Sequence, residues 1–243
     1  MPTTLPDPLY CLLAWTSPAY PTGAFSYSHG LEWAVQTGAV HDVTSLLDYT
    51  LAVIEDGGAW VDAVLFVHAW RAASAPEDVW HTRARAQLQD IAELAAAFRA
   101  TAETHLESRQ QGAAFLRVTL AAWPHPRLTE FASDLPDSGT GATAAVAHCI
   151  AMAVACAAHD VPLDTALRAF VQGVGANLVS AGTRLIPLGQ TQSQIAVARL
   201  EPRLATVATR AQDTALDDLG TATPGLELCS MLHETQYTRL FRS

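Results

Sequence analysis

Four short segments of the sequence carry side chains whose types and spacing could do chemistry. The first, His233-Glu234-Thr-Gln-Tyr237, begins like the HExxH zinc motif, in which histidines at i and i+4 of one helix bind the metal. Tyrosine stands where the second histidine is required. We therefore interpret His233 and Glu234 as a polar patch near the C-terminus rather than as a zinc site.

The second segment, Ser26-Tyr27-Ser28-His29-Gly30, places hydroxyl groups beside an imidazole. A hydrolase or a metal-binding enzyme could use Ser28 and His29. The segment does not match G-x-S-x-G, and a helical chain lacks the strand–turn–helix elbow that this motif needs. The alternative is that these polar side chains cap the helix that follows.

The third segment places His148, Met152, Cys156 and His159 within about 80° on one face of an apolar helix. Such soft and borderline ligands suit copper(I), nickel or zinc. Cysteine and methionine are also ordinary core residues, and close packing of a small-residue helix explains the pattern equally well. We assign no metal ligand here.

The fourth segment, Arg184-Leu-Ile-Pro-Leu-Gly189-Gln190, joins an arginine, a proline, a glycine and an amide in a turn after a helix. Polar residues in a rigid turn are suited to binding a partner. A plain connection, with the arginine capping carbonyl groups, is the alternative.

The last residues form a candidate interaction element. Leu240 and Phe241 stand between Arg239 and Arg242, and phenylalanine and arginine are enriched in interface cores. Exposing such a segment is costly unless a partner covers it. We expect it to lie outside the core, mobile in the isolated chain and ordered with a partner.

Helices must position these segments. Half of the 243 residues are apolar, 16% are charged and 7% are aromatic, which excludes a disordered chain and disfavours a β-sandwich or barrel. The periodicity predicts an all-α chain, a single compact domain of about ten helices over residues 1–243. We expect an apolar central helix over Ala142–Ala158, a helix break near Gln89-Asp90, and separate helices over Gln190–Leu200 and Leu204–Leu216.

Charge and cysteine usage exclude several function classes. The formal net charge of −10 disfavours a general nucleic-acid binder. All 14 cations are arginine, so the chain has no lysine for a P-loop, a Schiff base or a typical kinase site. Residues 1–70 hold seven acids and no cation. Four cysteines without paired spacing fit a reducing compartment, and we find no signal peptide or membrane span, so we expect a cytoplasmic protein.

Four segments together resemble the urease accessory protein UreF family. They are SPAYPTGAFSYSHGLEWAV, FRATAETHLESRQQG, TRLIPLGQTQSQ and the ending LHETQYTRLFRS. In the second segment, Arg99, Glu103, Glu107, Ser108 and Gly112 stand at matching positions. The four segments span nearly the whole chain.

The resemblance implies an all-α protein without enzymatic activity or cofactor of its own. It implies a homodimer that binds UreD (also called UreH), recruits the GTPase UreG, and acts on apo-urease during nickel insertion, with no nucleic-acid or membrane partner. We expect partner contacts from two loops and the end of the chain: Tyr27, Ser28, His29, Glu32, Arg184, Gly189, Gln190, His233, Glu234, Tyr237, Arg239, Leu240, Phe241 and Arg242.

Overall fold

The computed structural model describes residues 6–136 and 146–243, and these residues confirm the all-α prediction. Within those two ranges the chain forms helices, turns and loops but no strand. The α-helices in chain order are α1 (Pro8–Trp15), α2 (Leu31–Gln36), α3 (Val43–Glu55), α4 (Gly58–Ala73), α5 (Glu77–Val79), α6 (Arg85–Ala97), α7 (Ala102–Ala122), α8 (Pro126–Asp134), α9 (His148–Ala158), α10 (Leu163–Leu185), α11 (Gln190–Asp213) and α12 (Pro224–His233). None of these helices is long and apolar enough to cross a membrane.

The residues group into two compact units. Unit 1 comprises the described residues of 1–22, Leu65–Ala97 and the described residues of Ser108–Ala169. Unit 2 comprises Gly23–Val64, Phe98–Glu107 and Phe170–Ser243. The expectation of one domain over residues 1–243 stays a prediction.

Unit 1 is built around the apolar helix α9. Every residue of α9 after His148 is buried, as the sequence predicts for residues 148–158, whereas residues 142–145 of the expected helix lie outside the described ranges. Helix α7 approaches the start of α9 so closely that a Cβ on Gly112 would lie 1.9 Å from the Val146 carbonyl oxygen. Glycine is therefore required at this crossing.

The expected helix break near Gln89-Asp90 is wrong. Helix α6 runs through both residues, and the break comes at residues 98–101 instead. Thr101 starts the next helix because its hydroxyl oxygen accepts a hydrogen bond from the Thr104 backbone N–H at 3.1 Å. A hydroxyl that satisfies an otherwise unpaired N–H is the usual signal for a helix start.

The expected pair of helices after Gln190 is also wrong. Helix α11 is continuous from Gln190 to Asp213 and includes Pro202. Proline removes one backbone donor and bends a helix without necessarily ending it. Burial of Leu200 and Leu204, one turn apart across Pro202, holds both halves in one helix.

Unit 2 positions the candidate site. Helix α2 packs against α12, and α3 packs against α11. The Asp42 carboxylate caps α3 by accepting from the Ser45 N–H at 2.8 Å, as the sequence predicts. After α12 the chain continues as residues 234–243, called the C-terminal tail below, which follows no regular helix.

Candidate functional site

Glu32, in the first turn of α2, binds the backbone of the C-terminal tail. Its Oε1 accepts a hydrogen bond from the Leu240 N–H at 2.6 Å, and its Oε2 accepts from the Phe241 N–H at 2.9 Å. The Oε2 atom also faces His233 Nε2 at 3.1 Å. The carboxylate is buried, and hydrogen bonds to a buried charge are among the strong ones. Glu32 therefore fixes the tail to α2.

His233, at the end of α12, lies between two carboxylates. Its Nε2 faces Glu32, and its Nδ1 lies 2.7 Å from Oε2 of Glu103 on α7. The ring is fully buried. Only the protonated imidazolium donates from both nitrogens, so both hydrogen bonds form together in that state. The resulting row of Glu32, His233 and Glu103 joins α2, α12 and α7.

Glu103 and Glu107 extend the row along one face of α7. They are four residues apart and therefore adjacent on the helix surface. Glu103 Oε1 accepts from Arg239 Nη1 at 2.7 Å, and Glu107 Oε2 accepts from the Ser243 hydroxyl at 2.7 Å. The buried Ser243 thus anchors the far end of the tail.

His29 contributes a second imidazole to the cluster. Its Nε2 lies 3.1 Å from Glu107 Oε1, and its side chain is 27% exposed. Burial lowers the pKa of His29, but the negative charge of Glu107 and its hydrogen bond outweigh that effect and raise the pKa above the usual value. His29 and Glu107 therefore form an ion pair that favours the protonated ring.

The loop that carries His29 is held in a conformation that requires glycine next to it. His29 has a φ of 55° and Gly30 a φ of 76°. A Cβ on Gly30 would lie 2.6 Å from the Ser230 backbone nitrogen on α12. The close approach of loop and helix lets Glu32, two residues later, reach His233.

The same loop directs the Ser28 hydroxyl to a backbone acceptor rather than to a base. Ser28 is fully buried, and its hydroxyl donates to the Ser243 carbonyl oxygen, which also accepts from the Ser28 N–H at 2.7 Å. A serine nucleophile needs its proton directed to a base. This geometry does not support the alternative of a hydrolase that uses Ser28 and His29.

Arg184 also supports the tail. It lies in the last turn of α10 rather than in the turn that follows. Its Nη1 donates to the Phe25 carbonyl oxygen at 2.8 Å, and its guanidinium lies 4.4 Å from the centre of the Phe241 ring. Such stacking is a cation–π contact. The arrangement favours a shape-holding role for Arg184.

The structure sorts the sequence-predicted residues into two groups. Those that are buried or partly buried in the cluster are Tyr27, Ser28, His29, Glu32, His233 and Phe241. Those that are exposed are Arg184, Gly189, Gln190, Glu234, Tyr237, Arg239, Leu240 and Arg242. Gly189 caps the start of α11 and Gln190 opens that helix, with no contact between them and the cluster among the described interactions.

The expectation that the C-terminal tail lies outside the core is wrong. Phe241 and Ser243 are buried in unit 2, and Glu32 and Glu107 hold them without any partner chain. The expectation failed because it considered only the residues next to Leu240 and Phe241 in the sequence. The groups that satisfy the tail lie more than 100 residues away in sequence.

The candidate metal ligands on α9 lie in the core of unit 1. Met152, Cys156 and His159 are buried, and burial raises the pKa of the Cys156 thiol far above its usual value, which keeps it protonated. His159 Nδ1 lies 3.0 Å from the Ala155 carbonyl oxygen, and its ring meets Trp15 edge-on at 5.3 Å. Among the described residues, no three histidine, cysteine or acidic side chains come together to hold a metal ion.

Sequence reasoning missed three members of the cluster as site residues. Glu103 and Glu107 lie in the segment FRATAETHLESRQQG, and Ser243 follows Arg242 in the tail. The available signal was the four-residue spacing of Glu103 and Glu107, which places two carboxylates on one helix face in a chain with few charges. Arg99 forms a two-pronged ion pair with Asp62 of α4 beside them.

Comparison with known proteins gives a consistent result. The UreF family model matches residues 40–201. The chain is 46% identical over 235 residues to "Urease accessory protein UreF" of Rhodopseudomonas palustris (strain BisB5), covering 97% of this chain and 91% of that protein. It is 48% identical over 235 residues to the protein of that name from Granulibacter bethesdensis, covering 97% and 94%. For the Bradyrhizobium diazoefficiens protein of that name, the identity is 45% over 242 residues, with 97% and 91% covered.

The alignments include α2, α7 and α12, because they cover 97% of this chain. The resemblance seen in the four sequence segments is thereby confirmed. The chain belongs to the UreF family of urease accessory proteins.

Proposed function

We propose that this chain is a non-catalytic scaffold that acts with UreD (UreH) and regulates the GTPase UreG during nickel insertion into apo-urease. Family membership supports an accessory role in urease maturation. The absence of lysine from the sequence supports a division of labour, since a P-loop lysine must then come from another chain. Nickel is cargo of the assembly in this proposal, and we assign no nickel ligand to this chain.

The observation that carries the proposal is that the C-terminal tail has one buried side and one side exposed to solvent. Phe241 is buried, whereas Leu240 is 61% exposed and the Tyr237 ring is fully exposed. Arg239 and Arg242 flank the exposed leucine. An ordered, exposed aromatic and aliphatic pair beside arginines has the composition of an interface hot spot. We assign this outer face of the tail to UreD.

Substitutions on the outer face test this assignment. The double variant Tyr237→Ala/Leu240→Ala should unfold like the wild type but fail to co-purify with UreD. Ile195→Ala is the matched control, because Ile195 is a half-exposed apolar residue on α11, away from the tail in sequence. Undiminished co-purification of the double variant would refute the assignment.

We assign the UreG-facing surface to Arg184–Gln190. The loop Tyr27–Glu32, which we expected to share this surface, does not contribute to it, because Tyr27, Ser28 and Glu32 are buried. An arginine finger must be able to reach a γ-phosphate, but Arg184 already binds the Phe25 carbonyl oxygen and stacks on Phe241. Those contacts support the alternative in which Arg184 shapes the surface and the exposed Gln190 makes the contact. Arg184→Ala should then reduce UreG binding and stimulated GTP hydrolysis in parallel, and Gln190→Ala should do the same.

A finger would give a different result, because it acts in the transition state. Arg184→Ala would then lower GTP hydrolysis far more than UreG binding. No effect of either substitution would place the UreG surface elsewhere.

We further propose a cytoplasmic homodimer with two-fold symmetry, in which the same patch of each copy forms the interface. Light scattering of the purified chain should give twice the chain mass of 25.9 kDa at high micromolar concentration. The overall proposal is tested by reconstituting apo-urease, UreD, UreG and nickel with and without this chain. Equal urease activation in both mixtures would overturn it.

A further inference from the structure

Two histidines lie among the charged side chains of the cluster that holds the C-terminal tail. Three carboxylates face the tail or its imidazoles, namely Glu32, Glu103 and Glu107. The imidazoles are His29 and His233. All five residues belong to unit 2.

Three arginines stand beside them. Arg239 pairs with Glu103 at 2.7 Å, Arg99 pairs with Asp62, and Arg242 lies with Glu107 near the Tyr27 hydroxyl. The His29 ring lies 3.1 Å from Glu107. A buried ion pair that loses one of its charges is costly.

Each imidazole is surrounded on several sides. His233 faces Glu32 from α2 and Glu103 from α7. His29 faces Glu107, with Asp62 and Arg99 at longer range. The Tyr49 hydroxyl of α3 donates to the His29 carbonyl oxygen at 2.7 Å and so fixes the backbone rather than the ring.

The far end of the tail depends on the His29 ring through Glu107. The ring lies 3.1 Å from Glu107 Oε1, and Glu107 Oε2 accepts from the Ser243 hydroxyl at 2.7 Å. Loss of the proton from His29 removes the positive charge of that pair and weakens the Glu107 anchor of Ser243.

We propose that the C-terminal tail is a pH-sensitive clasp, closed while His29 is protonated and released when that ring loses its proton. Release frees the backbone N–H groups of Leu240 and Phe241 from Glu32 and exposes the Phe241 ring. Since histidine is the side chain that titrates near neutral pH, the clasp responds within the physiological range.

The direction of the pH dependence follows from the pKa of His29. Burial lowers its pKa and the Glu107 carboxylate more than reverses this, so the folded value lies above the usual 6.5. The stabilisation is therefore complete below pH 6.5 and is lost as the pH rises through the folded pKa. Alkaline conditions open the clasp, and acidic conditions close it down to the range in which the carboxylates themselves protonate.

Tryptic cleavage reports the opening directly, because the tail carries Arg239 and Arg242. The isolated full-length chain is digested between pH 6 and pH 9, and cleavage at these two arginines is followed by mass spectrometry. Each rate is divided by that of a synthetic peptide of residues 235–243, which removes the pH dependence of the protease. Circular dichroism of the same samples confirms constant helicity.

We expect the normalised rate to rise with pH, by about tenfold for each unit by which the folded pKa of His29 exceeds 6.5. His29→Gln, which keeps a donor for Glu107 but does not titrate, should flatten this rise. The control His41→Gln, at an exposed histidine beside Asp42, should leave it unchanged.

A normalised rate that is constant between pH 6 and pH 9 in the wild type overturns the proposal, and this measurement needs no variant to fold. A rise that persists undiminished in His29→Gln also overturns it. The experiment contains no UreD or UreG, so its outcome is independent of the proposed function.

Discussion

Glu32→Ala is the substitution that most directly tests the arrangement around the C-terminal tail. Alanine removes the acceptor of the Leu240 N–H, the Phe241 N–H and one His233 nitrogen. A hydrogen bond to a charged group contributes about 1.5–3 kcal/mol. Because the three bonds share one carboxylate, the better measure is the loss of one partner from a buried ion pair, about 3–5 kcal/mol. We expect the free energy of unfolding to fall by that amount.

The effect is measurable because a native domain is stable by only about 5–15 kcal/mol. Urea unfolding followed by circular dichroism gives the change for Glu32→Ala. Glu32→Gln should lose less, about 1.5–3 kcal/mol, because the amide oxygen still accepts one hydrogen bond. Glu234→Ala is the matched control, since Glu234 follows His233 directly but is exposed, and should change stability by less than about 0.5 kcal/mol.

The decisive result is the order of the three variants in their loss of unfolding free energy. If Glu32→Ala unfolds within about 0.5 kcal/mol of the wild type, the tail does not depend on this carboxylate and the description of the site is wrong. If Glu234→Ala costs as much as Glu32→Ala, the loss reflects the region generally. Tryptic cleavage in the tail should accelerate in Glu32→Ala alone.

Three further substitutions test the packing. Gly112→Ala should cost about 3 kcal/mol or more by urea unfolding, because its Cβ would lie 1.9 Å from the Val146 carbonyl oxygen. Gly173→Ala, in α10 with nothing within 4 Å of the added Cβ, should instead stabilise by about 0.5–1 kcal/mol, and a loss there would contradict the open packing. Phe241→Ala should cost about 3–5 kcal/mol, and an unchanged tail cleavage rate in that variant would show that the stacking on Arg184 does not hold the tail.

The helical architecture could be predicted from local sequence signals. Helix α2 spans Leu31–Gln36 and ends there because Gly38, a typical helix-stop residue with a φ of 80°, follows it. Helix α3 begins where Asp42 caps it. In both cases the deciding interaction spans fewer than five residues, so the sequence contains it.

Prediction failed where distant contacts decide the outcome. Separate helices were expected over Gln190–Leu200 and Leu204–Leu216, but buried leucines on both sides of Pro202 keep α11 continuous. The break expected near residues 89–90 lies at residues 98–101, where Thr101 bonds to Ser230 at 2.8 Å as well as capping α7. The partner in that bond is 129 residues away, which no local pattern reveals.

The candidate site was predicted as a set of residues but not as an arrangement. Glu32 and His233 were both singled out, yet they are 201 positions apart in the sequence, which hides the 3.1 Å contact. The sequence also could not separate the residues of the tail into inner and outer ones. Phe241 and Leu240 are neighbours with similar apolar character, and the pairing of backbone N–H groups with Glu32 decides which one is buried.

That separation makes the roles of the tail experimentally independent. The inward groups, Phe241 and Ser243, are held by Glu32 and Glu107, so substitutions there change stability first and partner binding as a consequence. The outward Tyr237 and Leu240 contribute little to the core because most of each side chain already faces solvent. Their substitution should change UreD binding at constant stability. Finding both effects together at an outward position would mean that the tail is one packed unit whose binding follows from its folding, and the assignment of a distinct outer face would fail.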